Sequence, residues 1–82
     1  MNYQIEFKPR AVKDLRELTP ESRHRIADKI AALEMGLAGD VKRLTNFTPE
    51  YRLRVGDYRV LFEVDDQHVV IYRILHRKEA YR

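Results

Sequence analysis

Three arginines, Arg52, Arg54 and Arg59, fall at alternating positions in Tyr51-Arg52-Leu53-Arg54-Val55 and in Tyr58-Arg59-Val60-Leu61-Phe62-Glu63-Val64, with Gly56-Asp57 between the two runs. A two-residue connection that starts with glycine, flanked by β-branched and aromatic residues, predicts a β-hairpin. The short loop also sets the pairing: Val55 opposite Tyr58, Arg54 opposite Arg59, Leu53 opposite Val60, Arg52 opposite Leu61 and Tyr51 opposite Phe62. Side chains alternate between the faces of a sheet, so one face is apolar and the other reads Arg/Arg and Arg/Leu. Like charges directly opposite one another destabilise a hairpin by a few tenths of a kcal/mol or more. The arrangement is therefore poor scaffolding and a good site for an anion, with phosphate as the expected partner. The competing reading is a solvated arginine face that protects an exposed sheet from edge pairing. Glu63 is the one carboxylate that follows on that face, and this shortage favours the anion site.

The rest of the chain must position this hairpin. Its 82 residues are expected to form one domain. A chain of this size buries only about 60% of its unfolded surface, so modest stability is expected. There is no cysteine, which removes a disulfide, a thiolate nucleophile and a cysteine-held zinc from consideration and suits a reducing cytoplasm. Sixteen basic against thirteen acidic residues give a net charge of +3, so placement of charge matters more than its total. Met1 to Phe7 alternates and runs directly into Lys8-Pro9-Arg10, without a signal-peptide core, and the apolar run Val69 to Tyr72 is too short to span a bilayer. A cytoplasmic protein with no membrane partner is expected. The histidines, His24, His68 and His76, lack metal-ligand spacing, and no glycine-rich phosphate loop is present, so neither a metal nor another cofactor is expected.

Along the chain, Tyr3, Ile5 and Phe7 alternate with polar residues and predict a half-buried strand. Pro9 falls at a first helical position; Ala11, Val12, Leu15 and Leu18 then recur at helical spacing, with Arg10, Lys13, Asp14, Arg16 and Glu17 assigned to the opposite, polar face. Thr19-Pro20-Glu21 restarts a helix with an N-cap, a first-turn proline and a favourable acidic residue. Its stripe is Ile26, Ala27, Ile30, Ala31, Leu33 and Leu37, and Gly36 is expected to close it in a left-handed cap. Both helices read as packing, with His24 solvated.

Val41 to Thr45 predicts a short strand, followed by a loop at Asn46-Phe47-Thr48-Pro49; the direction of Lys42 and Arg43 is not fixed by spacing. After the hairpin, Asp65-Asp66-Gln67-His68 forms a second turn, with His68 as polar punctuation. The final strand is Val69 to His76, whose near-continuous apolar run predicts a central strand covered on both faces. Arg73 within it is read as an edge or salt-bridged side chain. The expected fold is α+β: two amino-terminal helices on one face of a small, mostly antiparallel twisted sheet, with Arg52, Arg54 and Arg59 on the other.

The run Tyr51-Arg52-Leu53-Arg54-Val55-Gly56-Asp57-Tyr58-Arg59-Val60, followed by Ile74-Leu75-His76-Arg77-Lys78-Glu79-Ala80-Tyr81, resembles the RelE branch of the RelE/ParE toxin superfamily. Phe7-Lys8-Pro9-Arg10-Ala11 and the helix pair fit the same family, so the likeness spans essentially the whole chain. The resemblance implies a fold similar to small microbial ribonucleases and the toxin of a type II toxin–antitoxin pair. It further implies a metal-free endoribonuclease that enters the ribosomal A site, cuts messenger RNA there and is blocked by a cognate antitoxin. Operator DNA would be met only through the antitoxin complex.

Such cleavage uses the substrate 2′-hydroxyl to attack the adjacent phosphorus, leaving a 2′,3′-cyclic phosphate and a 5′-hydroxyl. It needs a proton acceptor, charge neutralisation at the phosphorane and protonation of the departing oxygen. Forked guanidinium donors suit the second task. The family motif gives that task to Arg59, backbone positioning to Arg54 and Arg52, and the leaving-group side to Arg77, although arginine resists deprotonation. Tyr81 matches the family's terminal tyrosine, which stacks on a base or orients the 2′-hydroxyl. Lys78 and Arg82 are expected RNA or ribosome contacts.

Some members carry lysine where this chain has Arg52 and Arg54, and arginine is a poor substitute for a lysine base. The proton acceptor is therefore open, with His76 the natural candidate because histidine titrates near neutrality; its competing reading is a strand-end histidine satisfied by backbone. Glu79 and Glu50 are weaker candidates. Two other functions share the scaffold: a ParE-like DNA gyrase inhibitor and a non-catalytic RNA-binding module, the latter with strongly salt-dependent binding.

Overall fold

The computed structural model describes residues 2–80. Strand β1 (Gln4–Phe7) leads into helix α1 (Pro9–Arg16), helix α2 (Pro20–Ala31) and a 3₁₀ turn at Ala32–Met35. Strands β2 (Val41–Arg43), β3 (Tyr51–Val55), β4 (Tyr58–Asp65) and β5 (His68–His76) follow. They form one five-stranded sheet in the order β1-β5-β4-β3-β2, parallel only between β1 and β5.

Local chemistry accounts for the helix boundaries. Pro9 and Pro20 occupy first-turn positions where a missing N–H costs nothing. The Thr19 hydroxyl accepts the Ser22 N–H at 3.3 Å, capping α2. Lys13 and Arg16 sit in the last turn of α1, where cations favour the macrodipole. The α2 stripe stays apolar to Leu33, but the chain tightens into 3₁₀ geometry over Ala32–Met35, and Gly36 takes φ 144°, ψ 167°. This differs from the expected left-handed cap, because the narrower last turn has already redirected the chain.

The core lies between the helices and one sheet face. Ala11, Ile26, Ile30 and Leu33 pack against Leu53, Val55, Val60, Phe62, Val69, Ile71 and Ile74. Phe62 is fully buried and stacks on its cross-strand partner Tyr51 at 5.4 Å between ring centroids; burial of such a ring contributes roughly 1.5–3 kcal/mol.

The β3–β4 hairpin has the register read from its loop, with Arg54 opposite Arg59 and Arg52 opposite Leu61. Gly56 takes φ 58°, and a Cβ there would stand 3.3 Å from an Arg25 guanidinium nitrogen of α2. Gly56→Ala is therefore expected to cost about 1–2 kcal/mol, since the left-handed backbone is strained for any L side chain. Urea melts of the two proteins measure the difference.

The long apolar run of β5 has a different cause from the one expected. A bulge pairs Leu61 with Arg73 but Phe62 with Ile71, leaving Tyr72 as the extra residue. The extra residue shifts the alternation by one, so that Val69 and Ile71 before it and Ile74 after it all reach the same helix-covered core. The strand is central and is covered by helices on one face only.

Asp14 departs from its assigned polar face. It is 9% exposed and accepts hydrogen bonds from Arg73 Nε at 2.7 Å, a second Arg73 nitrogen at 3.1 Å and the Ile74 N–H at 3.0 Å. Beyond the end of β1, the β5 edge would present an unpaired N–H, and the α1 carboxylate takes the place of the missing strand. His68 also gains a structural partner, Glu6, across the β1–β5 pair. His24 is exposed and pairs with Asp28 one helical turn away. Among the described residues no helix is long and apolar enough to cross a membrane.

Candidate functional site

The face of the sheet away from the helices carries, strand by strand, Lys42 on β2, Arg52 and Arg54 on β3, and Arg59 and Leu61 on β4. Register makes neighbours of Lys42 and Arg52, of Arg52 and Leu61, and of Arg54 and Arg59. Leu61 is 3% exposed although it lies on this outer face, flanked in register by Arg52 and Arg73. Long cationic side chains shelter apolar surface with their stems while their heads stay polar.

Arg52, Arg54 and Arg59 line a single cavity of about 610 Å³, together with Lys42, Arg43, Leu44, Thr45 and Phe47. Five of these residues are cationic, and among the described residues no carboxylate or imidazole lines the cavity. At its margin Glu50 pairs with Arg43 at 3.1 Å, and Asp40 places Oδ1 3.2 Å from Arg52 and Oδ2 3.9 Å from Arg54 Nε. One carboxylate thus serves two guanidinium groups. The Asp40 carbonyl also accepts from the Arg54 N–H at 2.9 Å and from Arg52 at 3.3 Å, which ties the chain before β2 to the end of β3. Arg52 is the better anchored of the two, with its side chain 12% exposed against 57% for Arg54.

Among the described residues Arg59 has no carboxylate partner. One terminal nitrogen donates to the Gly56 carbonyl at 2.9 Å and to the Tyr58 carbonyl at 3.0 Å. That fixes the guanidinium near the hairpin turn without cancelling its charge, and leaves further N–H donors for an incoming anion.

The carboxy-terminal candidates divide. The Arg77 N–H donates to the Asp57 carbonyl at 2.7 Å, and its Nε lies 3.9 Å from Asp57 Oδ1. Arg77 is therefore held at the same turn that fixes Arg59. His76 is elsewhere. It pairs with Tyr58, meets that ring edge-on at 5.6 Å, and faces the helix side in a depression with Asp14, Leu18 and Glu79. Its Nδ1 accepts the Lys78 N–H at 3.3 Å and its carbonyl accepts the Glu79 N–H at 2.8 Å. That bond engages Nδ1 in the turn that follows β5. The structure does not bring His76 into the arginine cavity. Lys78 is exposed at the start of the final turn. Tyr81 and Arg82 lie outside the described residues. Glu50 is paired with Arg43 at 3.1 Å.

Sequence reasoning left Lys42 without a direction; pairing of β2 with β3 supplies it, since the register opposite Arg52 sends Lys42 to the arginine face. Asp40 and Phe47 were missed altogether. Both lie in irregular backbone, where alternation gives no signal.

Comparison with known proteins finds that the family model for the ParE toxin of the type II toxin–antitoxin system parDE matches residues 5–81. Toxin RelE3 of Methanocaldococcus jannaschii is 32% identical over 83 residues, covering 95% of this chain and 94% of that protein. Toxin RelG of Mycobacterium tuberculosis is 33% identical over 93 residues, covering 100% of this chain and 99% of that protein. Among solved structures, the RelB–RelE antitoxin–toxin complex from Methanococcus jannaschii superposes with a TM-score of 0.75 at 32% identity, covering 89% of this chain and 91% of the other. The toxin–antitoxin complex RelBE2 from Mycobacterium tuberculosis gives a TM-score of 0.81 at 28% identity, covering 94% and 100%.

Proposed function

This chain belongs to the RelE/ParE toxin superfamily of type II toxin–antitoxin systems, as a RelE-type toxin, and from that premise we propose that it is a ribosome-associated endoribonuclease that cuts messenger RNA without a metal. The observation that supports this reading most directly is the cavity in which Arg52, Arg54 and Arg59 converge, with Asp40 the one carboxylate among the described residues that pairs with any of the three. A gyrase binder has no need of clustered guanidinium groups with donors left over; a phosphodiester has.

Arg52 and Arg54, set by Asp40, grip the RNA backbone on either side of the scissile linkage. Arg59 neutralises the phosphorane as the 2′-oxygen attacks, the 2′ proton passing to solvent water, and the departing 5′-oxygen takes a proton from water in turn. Arg77, held at the same turn, serves the departing 5′-oxygen as a charge partner, since arginine does not give up its proton readily. His76 acts through its backbone and Nδ1, holding the turn of Lys78 and Glu79 that follows β5. The cavity supplies positioning and charge neutralisation, terms worth far more in a pre-arranged site than in water. Its partners are the messenger in the ribosomal A site and a cognate antitoxin that covers the arginine face; the solved relatives in complex with RelB support the latter.

Expression without antitoxin, with messenger and chromosome integrity followed in the same cells, tests the proposal. Growth arrest with cut messengers and intact DNA is expected. Intact messengers with a DNA-damage response would replace this reading with gyrase inhibition.

Binding to RNA through this face is expected to weaken with salt at a slope of about 0.7 in log K per log salt for each phosphate contacted on a single strand. Arg54→Ala, which removes an exposed cation and little packing, should reduce that slope by about one such increment. A titration of affinity between low and moderate salt measures it.

A further inference from the structure

The β2–β3 loop joins the arginine cavity to a second one, and Phe47 lines both. The second cavity, about 510 Å³, is walled by Leu44 and Phe47 and edged by Thr45, Asn46, Thr48 and the Arg43–Glu50 pair. Both volumes fall in the usual range for small-ligand sites, about 300–1,000 Å³. The loop is anchored at its base. The Leu44 N–H donates to the Glu50 carbonyl at 2.6 Å, Arg43 pairs with the Glu50 carboxylate, and the Glu50 N–H donates to Glu63 Oε1 at 2.8 Å. Asn46 makes the tip with a left-handed φ of 56°, a conformation asparagine tolerates better than most residues.

The surface around the loop therefore brings together cations, an aromatic ring and short polar side chains, with Arg43, Leu44, Thr45 and Phe47 shared by the two cavities. A single-stranded nucleic acid presents complementary groups: a phosphate, the flat face of a base, and a polar base edge. Stacking on aromatic side chains is the common way to hold an unpaired base, and amide and hydroxyl groups are the common readers of its edge. The fixed loop base means that little ordering is needed on binding.

We propose that the β2–β3 loop is a nucleobase subsite, in which Phe47 takes the face of a base neighbouring the phosphate held by Arg52, Arg54 and Arg59, and Thr45, Asn46 and Thr48 meet its edge. The inference rests on the RNA-binding reading of the arginine face and adds to it a source of base preference. Glu50, tied to Arg43, limits the polar end of the subsite and disfavours a second phosphate there.

The test uses the full chain and a short single-stranded RNA made uncleavable by 2′-deoxy substitution, with an abasic counterpart bearing the same phosphates. Fluorescence anisotropy should show the base-bearing strand binding about tenfold more tightly than the abasic one. Phe47→Ala should lower affinity for the base-bearing strand to the abasic level, and Phe47→Tyr, which keeps the ring, should restore the difference; circular dichroism melts of both variants establish that they fold. Equal binding of the two strands by the parent chain, or an undiminished preference in folded Phe47→Ala, overturns the subsite while salt-dependent binding leaves the arginine reading standing. Absence of salt-dependent binding to either strand overturns both.

Discussion

Arg59→Ala is expected to reduce messenger cleavage by about 100- to 1,000-fold, the loss seen when one pre-arranged donor is removed from a developing oxyanion. Arg59 is the arginine of the cavity with no carboxylate partner among the described residues, and its guanidinium is fixed by the Gly56 and Tyr58 carbonyls. Charge that is both uncancelled and held still contributes most where charge appears during the reaction. Arg59→Lys should recover only part of the activity, because an ammonium restores the charge but not the planar fork. The fold should persist. Two side-chain bonds to carbonyls near an exposed turn contribute about 1 kcal/mol, a shift of roughly 4–8 °C in melting for a domain of this size. Full cleavage by folded Arg59→Ala would remove the residue from the mechanism.

The largest effect on stability is expected from Asp14. Burial pushes its carboxyl upward, but the hydrogen bonds from Arg73 and from the Ile74 N–H, with the charges of Arg73 and Arg10, outweigh that and hold it below the ordinary carboxylate value. The Arg73 guanidinium is correspondingly raised, first by its bond to Asp14. Asp14→Ala leaves a β5 N–H unpaired and an Arg73 side chain, 32% exposed, without its counter-charge. Breaking such a pair costs about 3–5 kcal/mol, and the lower figure applies because Arg73 retains some water. A small domain has little more than that to lose, so Asp14→Ala should be largely unfolded at 37 °C.

The same group sets an acid limit. A carboxyl lowered by folding contributes fully above its unfolded value, near 3.9, and its contribution is lost as pH falls through the lowered folded value. The parent chain should therefore lose stability steeply below about pH 4, and Asp14→Asn, lower at neutral pH, should show a shallower fall. Chemical denaturation of both proteins across acid pH measures it; a neutral-pH cost under 0.5 kcal/mol for Asp14→Ala would refute the structural role.

The hairpin was the most legible part of the molecule, because a two-residue loop admits one register and the register alone sets Arg54 against Arg59. Helix starts at Pro9 and Thr19-Pro20 were equally readable from chemistry confined to one turn. What escaped depends on distant chain. The β5 bulge makes a half-covered strand look like one buried on both faces, since one extra residue breaks the alternation that a reader relies on. Asp14 has the spacing of a solvated helix residue and becomes buried only because β1 ends before β5 does. His76 follows the arginine hairpin's partner strand closely enough to suggest a shared cavity, yet pairing with Tyr58 turns it to the helix side. Of the site, the three arginines could be found by alternation; Lys42 needed the β2 register, and Asp40 and Phe47 needed coordinates.

The central claim is that clustered guanidinium groups drive attack of a ribose 2′-oxygen on the neighbouring phosphate. Its most direct test is the chemistry of the ends left on messenger cut by this protein in a reconstituted translation reaction. The account predicts new 5′-hydroxyl ends that become ligatable only after phosphorylation, matched by 2′,3′-cyclic phosphates, and no cut at a site whose 2′-hydroxyl has been replaced by hydrogen. New ends that carry a 5′-phosphate, or cleavage that proceeds at the 2′-deoxy site, would contradict it.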